Sequence, residues 1–227
     1  MGKTLRLACV AVGALGVVAV LGFTTKSLAS YPPTVAASIT APGEANLRIQ
    51  TVGAIGSGDH PTWVSYLVQD SHGSWVHSTI WQLPAHSLIH VTVEQYDTAG
   101  PLRNELWGEV TGTPSGTIAV NSKPLALSDA NGQDSTTAPA HTFTVSELGL
   151  NVPLVGTASD VKNACSDPAP CDPSKAHVTI AFDFRTGVPG KFRWQCFVPC
   201  GLSYLDGNGG PMQQLGYMGG FLNVVNA

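Results

Sequence analysis

The sequence predicts an all-β protein, a sandwich of two sheets, on three observations. Short alternating segments recur along the chain, Gly (25) and Pro (16) are plentiful between them, and no long amphipathic helix interrupts the pattern. Strand residues are Thr-, Val- and Ser-rich while turns carry Gly, Pro and Asn, the composition expected of many short strands joined by tight connections. Neither heptads nor an internal repeat is present.

The segments follow in order. Leu47–Val52 begins by alternating apolar and polar, and Trp63–Val68 and Trp75–Trp81 are the next candidates. Ser87–Tyr96 is the clearest: Ile89, Val91 and Val93 share one face, and His90, Thr92 and Glu94 share the other, placed toward solvent. From Asp97 to Ala140 the chain is rich in Gly, Thr, Ser, Pro and Asn. It has room for one hairpin, Thr117–Leu127, and otherwise reads as an elaborated inserted loop. Within it, Leu102, Arg103, Asn104 and Trp107 are either a contact surface or loop packing. His141–Val145 and Gly149–Leu154 are strand-like, and Asn163–Ser174 is a compact turn. His177–Phe184 alternates cleanly, Gly187–Gly190 turns the chain, and Lys191–Phe197 and Phe221–Val225 complete the set.

The N-terminus has a different character. Lys3 and Arg6 precede seventeen residues without a charge, Leu7–Phe23, and small residues follow at Ser27–Ser30. A basic start, an apolar stretch and small residues read as a secretory signal cleaved near Ala29 or Ser30. The stretch also falls at the short end of the roughly 17–25 residues that span a bilayer, so a membrane anchor through residues 7–23 is the other reading. Both place the protein outside the cytoplasm. Cys9 lies at the start of the run and reads as part of the signal. The expected organisation is therefore a signal or anchor over 1–30, a Pro-containing tether over 31–46 and one domain over 47–227. Without Lys3, Arg6 and Lys26 the exported part carries eight Lys/Arg against fifteen Asp/Glu, a net −7. That balance excludes nucleic acid as a partner, because such binding needs clustered cations to displace counterions.

Four cysteines fall in the exported part, in two pairs. Cys165 and Cys171 sit in a turn without His or Met nearby, which in an oxidising compartment reads as a structural disulfide. Cys196 and Cys200 close a strand whose phase is set by Phe192 and Trp194, and a Gly-rich loop then carries Met212 and Met218 toward the last strand. Thiolate and thioether sulfurs are soft donors that suit copper. On spacing alone, a copper site and a second disulfide with core methionines stand level. His141, at the head of its strand, reads by itself as a surface or capping residue sooner than as a nitrogen ligand. No Ser-His-Asp set, His-Glu-x-x-His or phosphate loop occurs, so hydrolytic catalysis has nothing to rest on.

Three stretches together resemble a known family. His141-Thr-Phe-Thr-Val145 with Glu147-Leu-Gly-Leu-Asn-Val-Pro153, then Gly190-Lys-Phe-Arg-Trp-Gln-Cys196-Phe-Val-Pro-Cys200-Gly201, then Gly216-Tyr-Met218 up to Val225, resemble a bacterial or archaeal cupredoxin-like domain. The copper-A domain of cytochrome c oxidase subunit II is the well-known relative. The resemblance covers about Trp81–Val225 and is strongest over the last forty residues. It implies a cupredoxin-like Greek-key sandwich, with copper held by His141, Cys196 and/or Cys200, and Met218, Met212 being the alternate. The family supplies a backbone ligand where Val198 stands. Two departures are plain: the copper-A pattern places His at position 204 and Met at 207, and this chain has Tyr204 and Gly207. What remains implied is a mononuclear site favouring Cu(I) rather than a dinuclear centre. The corresponding functions are electron transfer linked to a respiratory chain, with a protein redox partner, or copper delivery and thiol–disulfide work in oxidase assembly, with a copper-donor partner. A metal-free structural module is the third. An oxidase-subunit-like role is expected in place of independent catalysis.

Overall fold

A computed structural model of the chain describes residues 12–22, 32–99, 102, 104–125, 138–158, 161, 165, 168–201 and 207–226. Residues 12–22 are helical and belong to a first unit, and a second unit begins at Pro32. No helix among the described residues is long and apolar enough to cross a membrane. The signal or anchor proposed for residues 1–30 lies mostly outside the described residues.

The second unit is a sandwich of two sheets, as its alternation predicts. Its strands are β1 (Thr34–Ala36), β2 (Ser38–Ala41), β3 (Glu44–Val52), β4 (Ser65–Gln69), β5 (Trp75–Val76), β6 (Ile80–Pro84) and β7 (Leu88–Gln95). After these come β8 (Ile118–Val120), β9 (Lys123–Leu125), β10 (Pro139–Val145), β11 (Leu150–Val155), β12 (Val178–Arg185), β13 (Gly190–Gln195) and β14 (Gly219–Val225). The six-stranded sheet runs β1-β6-β14-β13-β10-β11. The eight-stranded sheet runs β5-β4-β3-β7-β12-β8-β9, with β2 paired to β3. Most neighbours are antiparallel, but β3–β7, β6–β14 and β1–β6 are parallel, so the chain crosses between the sheets several times.

One expected boundary is corrected. Residues 31–46 are not a free tether: β1 pairs with β6, β2 pairs with β3, and β3 itself starts at Glu44. The physical reason is that small residues fit where larger ones would not, with Val35, Ala37 and Ala45 all buried against the sandwich.

Between the sheets lies an aromatic core. Trp81 stacks on Trp194 at 4.7 Å between ring centroids, Tyr66 meets Trp194 edge-on at 4.8 Å, and Phe143 packs 5.4 Å from Trp194. All four are fully buried, and each indole N–H finds a carbonyl, Trp81 at Ser78 and Trp194 at Thr79. Burial of side chains this large is worth about 1.5–3 kcal/mol apiece.

The outward phase of β7 is corrected at one position. His90 is partly exposed between Asp183 and Glu44, but Glu94 is buried, ion-paired to Arg48 and accepting a hydrogen bond from Gln50 at 2.8 Å. The loop around Cys171 covers it. Gln50 also donates to the Cys171 carbonyl at 2.9 Å and accepts from the Cys171 N–H at 3.0 Å, seating that loop on the sheet. The Cys165–Cys171 disulfide expected from the sequence is formed.

The inserted segment has the expected hairpin, β8–β9, which extends the larger sheet beside β12. It also has a short 3-10 turn, Glu105–Gly108, capped by the Asn104 side chain. There Trp107 stacks on Phe197 at 4.1 Å, so Trp107 serves in packing, while Leu106 is exposed. Residues 126–137 fall outside the described set.

Candidate metal centre

The donors come from one end of the six-stranded sheet, where β10 and β13 are neighbours, pairing Thr144 with Gln195. A one-residue shift in the β10–β11 register falls at Ala140, immediately before His141. Such a bulge re-aims the side chain that follows it. His141 is thus buried inside the sandwich rather than capping a strand. Cys196 follows the last residue of β13 and is fully buried; Cys200 is partly buried.

Three donor atoms converge. His141 Nδ1 is 3.1 Å from Cys200 Sγ and 3.9 Å from Cys196 Sγ, and the two sulfurs are 3.6 Å apart. All lie within 4.8 Å of one another, the one such group of His, Cys, Asp or Glu donors among the described residues. Cys196 and Cys200 are free thiols, unlike the bonded Cys165 and Cys171. The Val198 carbonyl is 3.0 Å from Cys200 Sγ and 3.5 Å from Cys196 Sγ, at the mouth of the same group.

The loop is fastened from both sides. Thr142 offers its N–H to Cys196 Sγ at 3.4 Å and its hydroxyl oxygen to the Phe197 N–H at 2.9 Å. The Cys196 N–H donates to the Met218 carbonyl at 2.9 Å, and the Gln195 amide donates to the Met212 carbonyl at 3.2 Å. Gly201 closes the loop through its N–H to Gly207 at 2.7 Å, where a Cβ would meet the Gly209 carbonyl oxygen at 2.2 Å. Only a residue without a side chain fits there. Both methionines expected as ligands are buried, and their main chains make the described contacts to the Cys loop. Tyr204, at the position where the copper-A pattern has His, lies outside the described residues.

Two residues that the sequence did not single out complete the surroundings. Asp97 Oδ2 lies 3.3 Å from His141 Nε2, off the line of the N–H. Tyr66 donates its hydroxyl to the Thr142 carbonyl at 3.0 Å, and its ring centroid is 6.2 Å from that of His141. Their separation in sequence from the Cys loop leaves no spacing pattern to find them by.

The electrostatics follow from this packing. Burial opposes ionisation of Cys196, but hydrogen bonds from Cys200 and His141 and the His141 charge outweigh it, holding the thiol well below its usual range. Cys200 goes the other way, raised by its hydrogen bond to Cys196 and by burial. Burial also disfavours the His141 imidazolium, yet Asp97 and Cys196 together raise it to about 9. Burial would raise Asp97, and its contact with His141 reverses that. Burial, then the two nearby sulfurs, push Tyr66 well above a free phenol. Cys196 is thus held toward its thiolate beside His141, and once His141 gives up its Nδ1 proton the two sulfurs and one nitrogen form a donor set that fits a soft cation such as Cu(I).

Three further histidines are employed elsewhere. His60 stacks on Trp63 at 3.7 Å, His77 lies 2.9 Å from the Ser65 hydroxyl, and His177 lies 2.9 Å from the Lys175 carbonyl.

No protein-family model matches the chain, and no curated protein matches it in sequence. Among solved structures it is similar to the metal-binding domain of the Streptococcus pneumoniae D39 Cu(I)-exporting P-type ATPase CopA with Cu(I), at 13% identity and a TM-score of 0.34, over 87% of this chain and 100% of that one. It is also similar to rusticyanin from Thiobacillus ferrooxidans, at 15% identity and a TM-score of 0.31, over 85% and 82%. A multicopper oxidase matches at 12% identity and a TM-score of 0.28, over 82% of this chain and 45% of that one. Similarity this distant leaves the chemistry of the site to be argued from its own donor atoms.

Proposed function

We propose that the chain is an extracytoplasmic, copper-binding protein of cupredoxin type, holding a single copper ion and serving electron transfer linked to a respiratory chain. The observation that carries this reading is the convergence of His141 Nδ1, Cys196 Sγ and Cys200 Sγ within 4.8 Å, with His141 and Cys196 buried and Cys200 partly buried. His141 and the two sulfurs would hold the ion, with a Met218 or Met212 thioether and the Val198 carbonyl as further donors. Bound copper would supply a one-electron couple, and the protein's part is to bury and orient it. The test is anaerobic titration of the reduced protein with Cu(I) against a chelator, followed by oxidation. One copper per chain, with a thiolate-to-Cu(II) absorption band and a paramagnetic signal on oxidation, is expected. Absence of stoichiometric copper overturns the reading.

A second reading, copper delivery coupled to thiol–disulfide exchange, is favoured by one specific feature. The two free sulfurs stand only 3.6 Å apart, so oxidation to a disulfide would expel a soft ion. Tight Cu(I) binding without a stable Cu(II) form, lost on two-electron oxidation of the pair, would select it. The partner is then a copper-handling protein rather than an electron carrier.

A further inference from the structure

Asp97 follows the expected Ser87–Tyr96 segment and begins the insertion, and nothing in its sequence context marks it. Its carboxylate is nevertheless divided between two tasks. Oδ1 accepts the Thr98 N–H at 2.8 Å, which leaves Oδ2 facing His141 Nε2 at 3.3 Å. The backbone around it is clamped: the Asp97 carbonyl accepts from the Thr157 N–H at 2.9 Å and from its hydroxyl at 3.1 Å, and the Asp97 N–H donates to Gln95 Oε1 at 2.7 Å. Gln95 is in turn gripped by the Thr51 hydroxyl at 2.6 Å. Gly156 packs so closely that a Cβ there would meet the Ala99 nitrogen at 2.3 Å. A carboxylate is thus rigidly placed behind the one nitrogen donor, and His141 Nε2 has no aligned acceptor of its own.

We infer that Asp97 is a positioning residue for the metal centre, holding the proton of His141 on Nε2 so that Nδ1 is presented to the ion. The inference rests on the copper reading of the site above. An imidazole that binds through one nitrogen must keep its proton on the other, and a fixed carboxylate both selects that tautomer and strengthens the ligand. A slight rotation of the ring or of the carboxylate, in the free or the loaded protein, brings the N–H into line across the 3.3 Å gap. Asp97 also leaves a negative charge behind the ligand, which favours the more highly charged Cu(II) and lowers the reduction potential.

The experiment compares the wild type with Asp97→Asn and Asp97→Ala, using Cu(I) competition titration and nitrogen-15 NMR of the His141 ring, in reduced protein with and without Cu(I). In the loaded wild type the ring should be bonded through Nδ1 and protonated at Nε2. Asp97→Ala should weaken Cu(I) by about 10- to 100-fold, the usual effect of losing a supporting contact. The Nε2–H proton should move upfield in the variant, with or without copper. Asp97→Asn, whose amide oxygen still accepts, should retain most of the affinity while raising the reduction potential. Unchanged His141 signals in both variants would overturn the inference, as would bonding through Nε2. Should the wild type take up no copper, the function fails, and the copper-free spectra still decide whether Asp97 holds the ring.

Discussion

His141 Nδ1 and Cys200 Sγ stand 3.1 Å apart although they are 59 residues apart in sequence, and Cys196 Sγ completes a triangle with them. Because the group has three such donors, two of them buried, removing one corner leaves only two. Cys196→Ser, Cys200→Ser and His141→Ala should therefore each weaken Cu(I) by more than the roughly 100-fold ceiling for a supporting residue. Chelator competition checks this, and a Cys200→Ser protein that binds as well as wild type would remove that sulfur from the ligand set.

Protonation gives a second prediction. His141, raised from 6.5 to about 9, contributes stability that is complete below pH 6.5 and lost as the pH climbs through about 9. Cys196, held well below its ordinary 9, contributes stability present above that ordinary value and lost as the pH falls through its lowered one. Between pH 6.5 and 9 the two slopes have opposite signs. The unfolding temperature of the reduced, copper-free protein should change little there as far as this pair is concerned, and fall in more acid solution. Copper binding near neutral pH should displace protons from His141 and Cys200, strengthening by about tenfold per pH unit for each proton released. Calorimetry in buffers of different ionisation enthalpy reads that number directly.

Gly201→Ala tests how the loop is held. Its Cβ would enter the Gly209 carbonyl, so the closure between residues 201 and 207 must open. Copper affinity should drop and dissociation should quicken, while the strands stay folded by circular dichroism.

Gly220→Ala tests the sheet instead. A Cβ at that position would meet the Thr79 carbonyl oxygen at 1.7 Å, an atom that also accepts from the Phe221 N–H and the Trp194 indole. Parting β14 from β6 also loosens packing around Trp194, and a loss of several kcal/mol is expected, on the scale of about 3–5 kcal/mol for emptying a large aromatic site. Chemical denaturation measures it.

Replacing Cys165 and Cys171 by Ser should cost about 2 kcal/mol, because the bridge closes only a short loop. The Gln50 contacts would still seat the loop. A much larger loss would mean that the bridge also protects the buried Glu94.

The strands were legible because their faces differ in polarity: Ile89, Val91 and Val93 are buried as their spacing predicts. The Cys165–Cys171 bridge was legible because both residues lie in one turn, and the sulfur donors because only three residues lie between them. Glu94 misled because its cover, the loop at Cys171, comes from 77 positions further along. The tether expected over residues 31–46 misled because small residues look like a linker until a larger sheet claims them. Asp97 and Tyr66 were invisible for a related reason. Each acts through a tertiary contact with β10, and neither belongs to a spaced motif.

The place of β14 in its sheet has a consequence for biogenesis. It is the last strand in order, yet it lies in the interior of the sheet between β6 and β13. No shorter nascent chain can close that sheet, so β13 lacks an inner neighbour and Cys196 lacks its Met218 anchor until residue 225 has emerged. Until then both thiols are open to any oxidant or stray metal. On the copper reading of the site, metal would be acquired only once β14 is in place, and the pair would have to stay reduced until then.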